Sequence, residues 1–166
     1  MSSSQPSTAS PPASPLLAIL WGGLLCGVLD IAAAFIVYGA MGLSPGSLLQ
    51  GIASGLLGRS AFLYGVPAAL LGFVLEFVIA TGAAAVYVMA ASFVGFLIRR
   101  PWIAGPLYGI AVYWFMQLAV LPLSRYDPHP FSLELTLIGI AIHMVCVGPP
   151  IALAARRYAS PTGGSE

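Results

Sequence analysis

The sequence predicts an all-α, polytopic integral membrane protein with four transmembrane helices plus one short amphipathic or re-entrant helix. Three observations predict it. The chain is 59% hydrophobic and 7% charged, with a mean hydropathy of +0.96, whereas an average soluble domain carries roughly 25% charged residues. Its apolar residues gather into runs long enough for the roughly 20 residues that a helical crossing needs. At 166 residues the chain holds four such crossings and short loops, with no length left for a separate water-soluble domain. The net charge is +1 and every basic residue is Arg, never clustered beyond a pair. That is no electrostatic footprint for nucleic acid, so the partner expected is the lipid bilayer.

Residues 1–15 are mostly Ser, Pro, Ala and Thr without a charged side chain, and read as a disordered tail. No basic residue precedes Arg59, so the first apolar run lacks the positive flank of a secretory signal and is expected to stay as an anchor. Leu24-Leu25-Cys26-Gly27 falls short of a lipoprotein cleavage box, because Leu25 stands where a small residue is needed. The bundle is expected over residues 16–157, followed by a short cytoplasmic tail at 158–166.

The four spans are expected at Leu16 to Met41, Pro67 to Ile98, Trp102 to Leu123 and Leu133 to Ala155. Backbone in lipid must satisfy itself, which leaves helices as the reading for these lengths. Between the first two, Ser44-Pro45-Gly46 starts a helix with a Ser cap and Pro in the first turn. Leu48, Leu49, Ile52, Leu56 and Leu57 give it one apolar side, and Gly51, Gly55 and Gly58 are expected to thin it for close packing. It is too short to cross, and either lies at the interface or re-enters.

Arg99 and Arg100 end the second span and Arg156 and Arg157 the fourth, while Arg59 and Arg125 fall on the other side. The positive-inside rule then places both termini in the cytoplasm. Trp21, Trp102, Tyr108, Tyr126 and Tyr158 lie near span ends, where aromatic residues anchor. Pro149-Pro150 should kink or unwind the fourth span and free carbonyls.

Asp30, Glu76 and His143 stand inside apolar runs, where ionisable groups are costly and mark a functional-site hypothesis. Counted from the outer ends of their spans at about 1.5 Å per residue, all three fall in one layer about 13 to 15 Å deep. Tyr113 and Gln117 of the third span lie at comparable depth, and Arg59 is a candidate to reach down to Glu76 or Asp30. Small residues flank each polar group: Gly23, Cys26, Gly27 and Ala34 share a face with Asp30, Gly72, Ala80, Ala83 and Tyr87 with Glu76, and Gly139, Cys146 and Pro150 with His143. Gly23 with Gly27, and Gly105 with Gly109, have the spacing that lets membrane helices approach closely.

Two carboxyl groups near an imidazole in a low-dielectric layer would perturb one another's titration and favour a shared, exchangeable proton, which suits a proton relay or a coupled carrier. The bland alternative is a cluster of buried groups that only hydrogen-bond one another, worth about 0.6 kcal/mol each. With Cys26 and Cys146 the same groups include competent metal ligands, but no spacing matches a ligand motif, so no metal or cofactor is expected. The two cysteines read as packing residues rather than a disulfide. Asp127 and His129 in the loop Arg125 to Pro130 are explained by turn chemistry. No nucleophile elbow, phosphate loop, zincin helix or dinucleotide fingerprint occurs, and Ser54 between Gly51 and Gly55 lacks a strand-turn-helix context. An enzyme is not expected. The expectation is small-solute or proton-coupled transport, the alternative a non-catalytic membrane subunit or assembly partner, homo-oligomeric or with another membrane protein.

Four stretches together resemble a group of small uncharacterised bacterial inner-membrane proteins: GVLD at 27–30, LQGIASGLLG at 49–58, VLPLS at 120–124 and HMVCVGPP at 143–150. The likeness covers about residues 16–157. It implies a four-helix fold in a bacterial inner membrane and adds no activity. Members of that group carry His where this chain has Glu76, a difference that keeps a titratable group there and argues against a fixed metal-ligand role.

Overall fold

A computed structural model describes residues 13–127 and 132–159. Every regular element among them is helical. In order they are α1 (Pro15–Ala40), α2 (Pro45–Leu57) followed by a 3₁₀ turn (Gly58–Phe62), α3 (Val66–Ala91), α4 (Phe96–Arg99), α5 (Pro101–Leu123) and α6 (Leu133–Tyr158). Helices α1, α3, α5 and α6 are each long and apolar enough to cross a membrane.

The starts of these helices follow from local chemistry. Ser14 caps α1 by accepting from the Leu17 amide at 3.4 Å, Ser44 caps α2 through the Ser47 amide at 3.1 Å, and Ser132 caps α6 through the Leu135 amide at 3.3 Å. Each hydroxyl answers an amide that the first turn leaves without a carbonyl. Pro follows at the first or second position of α1, α2, α3 and α5, where its missing N–H costs nothing.

Two boundaries depart from the expected spans. The second apolar run breaks after Ala91, and Phe96–Arg99 forms the separate helix α4. Ser92 turns its hydroxyl back to the Met89 carbonyl at 2.6 Å, a bond that competes with helix continuation. Tyr87 then holds the returning chain by donating to the Leu97 carbonyl at 2.9 Å. The expected tail also ends earlier: the Ser14 amide donates to the Tyr158 carbonyl at 2.6 Å, so the first and last helices are joined at their ends. Residues 1–12 and 160–166 lie outside the described residues.

This contact places the start of α1 and the end of α6 on one face, here the terminal face, together with Arg99, Arg100, Arg156 and Arg157. Arg59 and Arg125 lie on the opposite, distal face. Helix α1 packs on α3 and α6, α5 packs on α6, and α2 lies along α3. The main core belongs to the terminal half: Ala18, Ala84, Tyr87, Ala104, Ile151 and Ala152 are buried there among small neighbours. Large apolar side chains such as Leu20, Leu24, Val78, Val86, Ile103, Leu107 and Val145 are exposed on the outside of the helices, the surface a bilayer would cover.

Glycines set how closely the helices approach. A Cβ on Gly23 would stand 2.6 Å from the Thr81 hydroxyl, one on Gly27 2.9 Å from the Phe77 ring, one on Gly105 2.9 Å from Pro149 Cα and one on Gly109 2.0 Å from the His143 carbonyl oxygen. The short outer helix docks by a different device from the one expected. Gly51 meets nothing within 4 Å and Gly55 only Ser124 at 3.8 Å. The close approach comes from Gly72 of α3, where a Cβ would stand 1.8 Å from the Leu49 carbonyl oxygen. Gly58 instead ends α2 with φ +62°, a left-handed conformation suited to glycine. Ala53, Ala61 and Ala68 then close a second small core beneath α2.

The two helices with interior prolines widen rather than break. In α5 the turn Met116–Val120 is π-helical and Pro122 follows it, and in α6 the turn His143–Val147 is π-helical ahead of Pro149 and Pro150. The Gly148 amide donates to the His143 carbonyl, five residues back, which lets the helix run on past the missing proline N–H groups.

Candidate functional site

Asp30, Glu76 and His143 each lie ten residues from the distal end of their helix, about 15 Å along the axis. The structure brings two of them together. The carboxyl groups of Asp30 and Glu76 lie close enough to interact across the α1 and α3 contact. Such a pair bonds directly only when one member carries a proton, because an ionised carboxylate has only acceptors. Asp30 Oδ1 is buried with no hydrogen-bond partner. Cys26, one turn toward the terminal face, lies within electrostatic reach of both carboxyls, and Cys146 within reach of Asp30. Both cysteines are free thiols.

His143 has other company. Its Nδ1 lies 2.9 Å from the Gly139 carbonyl one turn back. A carbonyl only accepts, so Nδ1 carries the proton. The imidazole stands edge-on to the Tyr113 ring at 5.4 Å, and Gln117 Nε2 donates to the Tyr113 hydroxyl at 3.0 Å. Tyr113 is itself seated against Gly139, where a Cβ would stand 2.5 Å from the ring. No contact joins the imidazole to either carboxyl among the described residues. The layer therefore resolves into a carboxyl pair between α1 and α3 and a His143, Tyr113 and Gln117 group between α5 and α6.

Arg59 corrects the expectation that it reaches the layer. It is exposed and pairs through Nε, at 2.8 Å, and Nη2 with Asp127 Oδ2 of the loop after α5. The Arg125 amide donates to the Gly55 carbonyl at 2.9 Å in the same region, so the two contacts fasten α2 and its 3₁₀ turn to that loop. His129 lies outside the described residues. Tyr126, in the same loop, has its phenol held above the usual range by burial and then by the Asp127 carboxylate.

Two tyrosines that the sequence reading did not place in the site, Tyr108 and Tyr38, belong to its surroundings. Tyr108, expected as an interfacial anchor, instead turns inward and donates to the Ala83 carbonyl at 2.7 Å, with its ring edge-on to Tyr87 at 4.9 Å. Tyr38 lies eight residues beyond Asp30 on α1, within electrostatic reach of Asp30, Tyr113 and Tyr126. The signal for Tyr38 was its spacing: with Ala34 it continues the i, i+4 row from Asp30. Among the described residues, no three His, Cys, Asp or Glu side chains converge as a metal-ligand set.

Fold and site together define, among the described residues, an all-helical protein with four helices long and apolar enough to span a membrane and with two carboxyl groups close together near the middle of α1 and α3. Comparison with protein-family models, with curated proteins and with solved structures finds no match.

Proposed function

We propose that this chain is a proton-coupled membrane transport protein of a bacterial inner membrane, with both termini cytoplasmic, and that Asp30 and Glu76 are its proton-exchanging pair. The observation that carries this reading is the pair itself. Two neighbouring carboxyls with an unpartnered buried oxygen are a costly arrangement in an apolar bundle. A purely structural contact would satisfy its oxygens. His143 is held at this level by the bond between its Nδ1 and the Gly139 carbonyl. The terminal side of the pair is closed by packed glycines and alanines, as a carrier needs on one side of its site. No enzymatic role is proposed.

The test uses a hydrophobic carbodiimide, which forms a stable N-acylurea with a protonated carboxyl in an apolar site. Modification of Asp30 or Glu76 that declines as pH rises, and that is absent from Asp30→Asn/Glu76→Gln, is the expected result. Proton uptake into proteoliposomes under an imposed potential should then exceed that of protein-free vesicles and be lost in Glu76→Gln. Absence of modification even in mild acid overturns the reading.

The second reading is a non-catalytic subunit or homo-oligomer. It is favoured by the exposed side of α3, where Phe73, Val74, Phe77, Val78 and Thr81 line a shallow groove and a Cβ on exposed Gly82 would meet nothing within 4 Å. Modification without proton uptake, together with a stable oligomer in detergent, would select it.

A further inference from the structure

The two halves of the bundle differ in how they treat the space around the carboxyl pair. On the terminal side, the backbones of α5 and α6 touch at Gly105, Gly109 and Gly148, where a Cβ on Gly148 would stand 1.8 Å from the Gly105 carbonyl oxygen. Ala84, Tyr87, Ile151 and Ala152 are fully buried there. Nothing the size of a water passes such packing without moving helices.

The distal side is built otherwise. No residue of α1 beyond Ile31 is buried, and none of α5 beyond Tyr113. The buried positions near the distal end of α3, Ala68 and Gly72, are covered by α2 rather than by the bundle interior. The first ten residues of α6 make few contacts with α1 or α5, whereas the rest of that helix packs closely on both. Helix α6 therefore diverges from α1 at the π-helical turn that starts with His143, while on the α5 side Tyr113 fills the gap against Gly139.

Polar groups line this divergence. Tyr38 is half-buried two turns distal to Asp30, on the row that Ala34 continues, and lies within electrostatic reach of Asp30, Tyr113 and Tyr126. Tyr113 adds a second hydroxyl, held by Gln117.

We propose that the Asp30 and Glu76 pair communicates with the distal side of the membrane alone, along the space where α6 diverges from α1, and that Tyr38 sets the width of that route. The inference rests on the reading of the pair as a proton-exchanging site and adds its sidedness and its controlling residue.

Thiol accessibility tests it. The full chain carries Cys26→Ala and Cys146→Ala, is reconstituted in liposomes, and receives one new cysteine at a time: Ala34→Cys, one turn distal to Asp30, or Ala84→Cys in the packed interior. A membrane-impermeant methanethiosulfonate cation is applied from either side, with Arg125→Cys marking the distal face and Ala159→Cys the terminal face. Ala34→Cys is expected to label with the sidedness of Arg125→Cys, and Ala84→Cys from neither side. Tyr38→Ala should raise the Ala34→Cys labelling rate and Tyr38→Trp lower it, opposite signs that a general loss of packing would not produce. Labelling of Ala34→Cys from the terminal side, or from neither side, overturns the proposal, as does labelling of Ala84→Cys. Carbodiimide modification on the same vesicles separates the two readings: modification without distal labelling removes the route and leaves the proton site, and labelling without modification removes both.

Discussion

Gly109→Ala should separate the α5 and α6 helices, and the size of the effect follows from the geometry. The added Cβ would stand 2.0 Å from the His143 carbonyl oxygen, 2.6 Å from its carbon and 3.0 Å from the Met144 amide nitrogen. All three obstacles are backbone, so no rotamer change relieves them. Contacts below 3.0 Å are essentially absent for real Cβ atoms, so the helices must part by about 1 Å at this crossing, and a forced insertion of this kind costs about 1–3 kcal/mol. The upper end applies, because the same shift disturbs the Gly148 to Gly105 contact and the π-helical turn beginning at His143. The partner experiment is Gly82→Ala, where a Cβ meets nothing within 4 Å and the higher helix propensity of Ala should be neutral or stabilising by up to about 1 kcal/mol. Reversible unfolding in mixed detergent micelles, followed by tryptophan fluorescence, measures both. A Gly109→Ala protein as stable as the wild type, or a Gly82→Ala protein destabilised to the same degree, would refute the account of glycine as the element that fixes helix spacing.

Three further outcomes are expected. Tyr108→Phe removes the bond to the Ala83 carbonyl while keeping the ring against Tyr87, and should cost about 0.6 kcal/mol, with a ceiling near about 1.7 kcal/mol, in the same unfolding assay; a loss above that range would mean the hydroxyl does more than join α5 to α3. Arg59→Ala breaks an exposed ion pair and should lower stability by less than about 1 kcal/mol, with the difference shrinking as salt is added; a large, salt-independent loss would show that the pair holds α2 in place. Burial, and then the Asp127 carboxylate, raise the Tyr126 phenol above its ordinary range in the folded chain, so the fold prefers the protonated form. The stability it contributes is complete below pH 10 and declines as pH rises beyond it. Tyr126→Phe should flatten that alkaline decline in thermal unfolding traces, and an unchanged slope would assign the decline to other groups.

The spans were legible because bilayer thickness turns composition into length, and caps such as Ser44 and Ser132 are local chemistry. The break at Ser92 was not, since Phe93 to Ile98 is as apolar as the helix before it and only the Ser92 hydroxyl and the grip of Tyr87 on Leu97 mark the turn. Depth could be counted along each helix, so Asp30, Glu76 and His143 fell at one level. Which of them touch depends on helix rotation and neighbour order, and there the carboxyls met while His143 turned to Tyr113. Gly23, Gly27, Gly105 and Gly109 could be picked out by spacing, whereas Gly72 and Gly148 act through carbonyls brought from distant segments. The ion-pair partner of Arg59 lay 68 residues away, a distance that no local pattern encodes.

The bond between the Ser14 amide and the Tyr158 carbonyl has a consequence for how the protein is made. Helix α1 is synthesised before α6, yet α6 is one of its two main neighbours. Until that helix is inserted, α1 has a side lined by Gly22, Ala18 and Cys26 with only α3 to cover part of it. The nascent chain therefore carries that side of α1 uncovered until α6 packs against it. Chains that stop before α6 would present that uncovered flank to quality-control proteases.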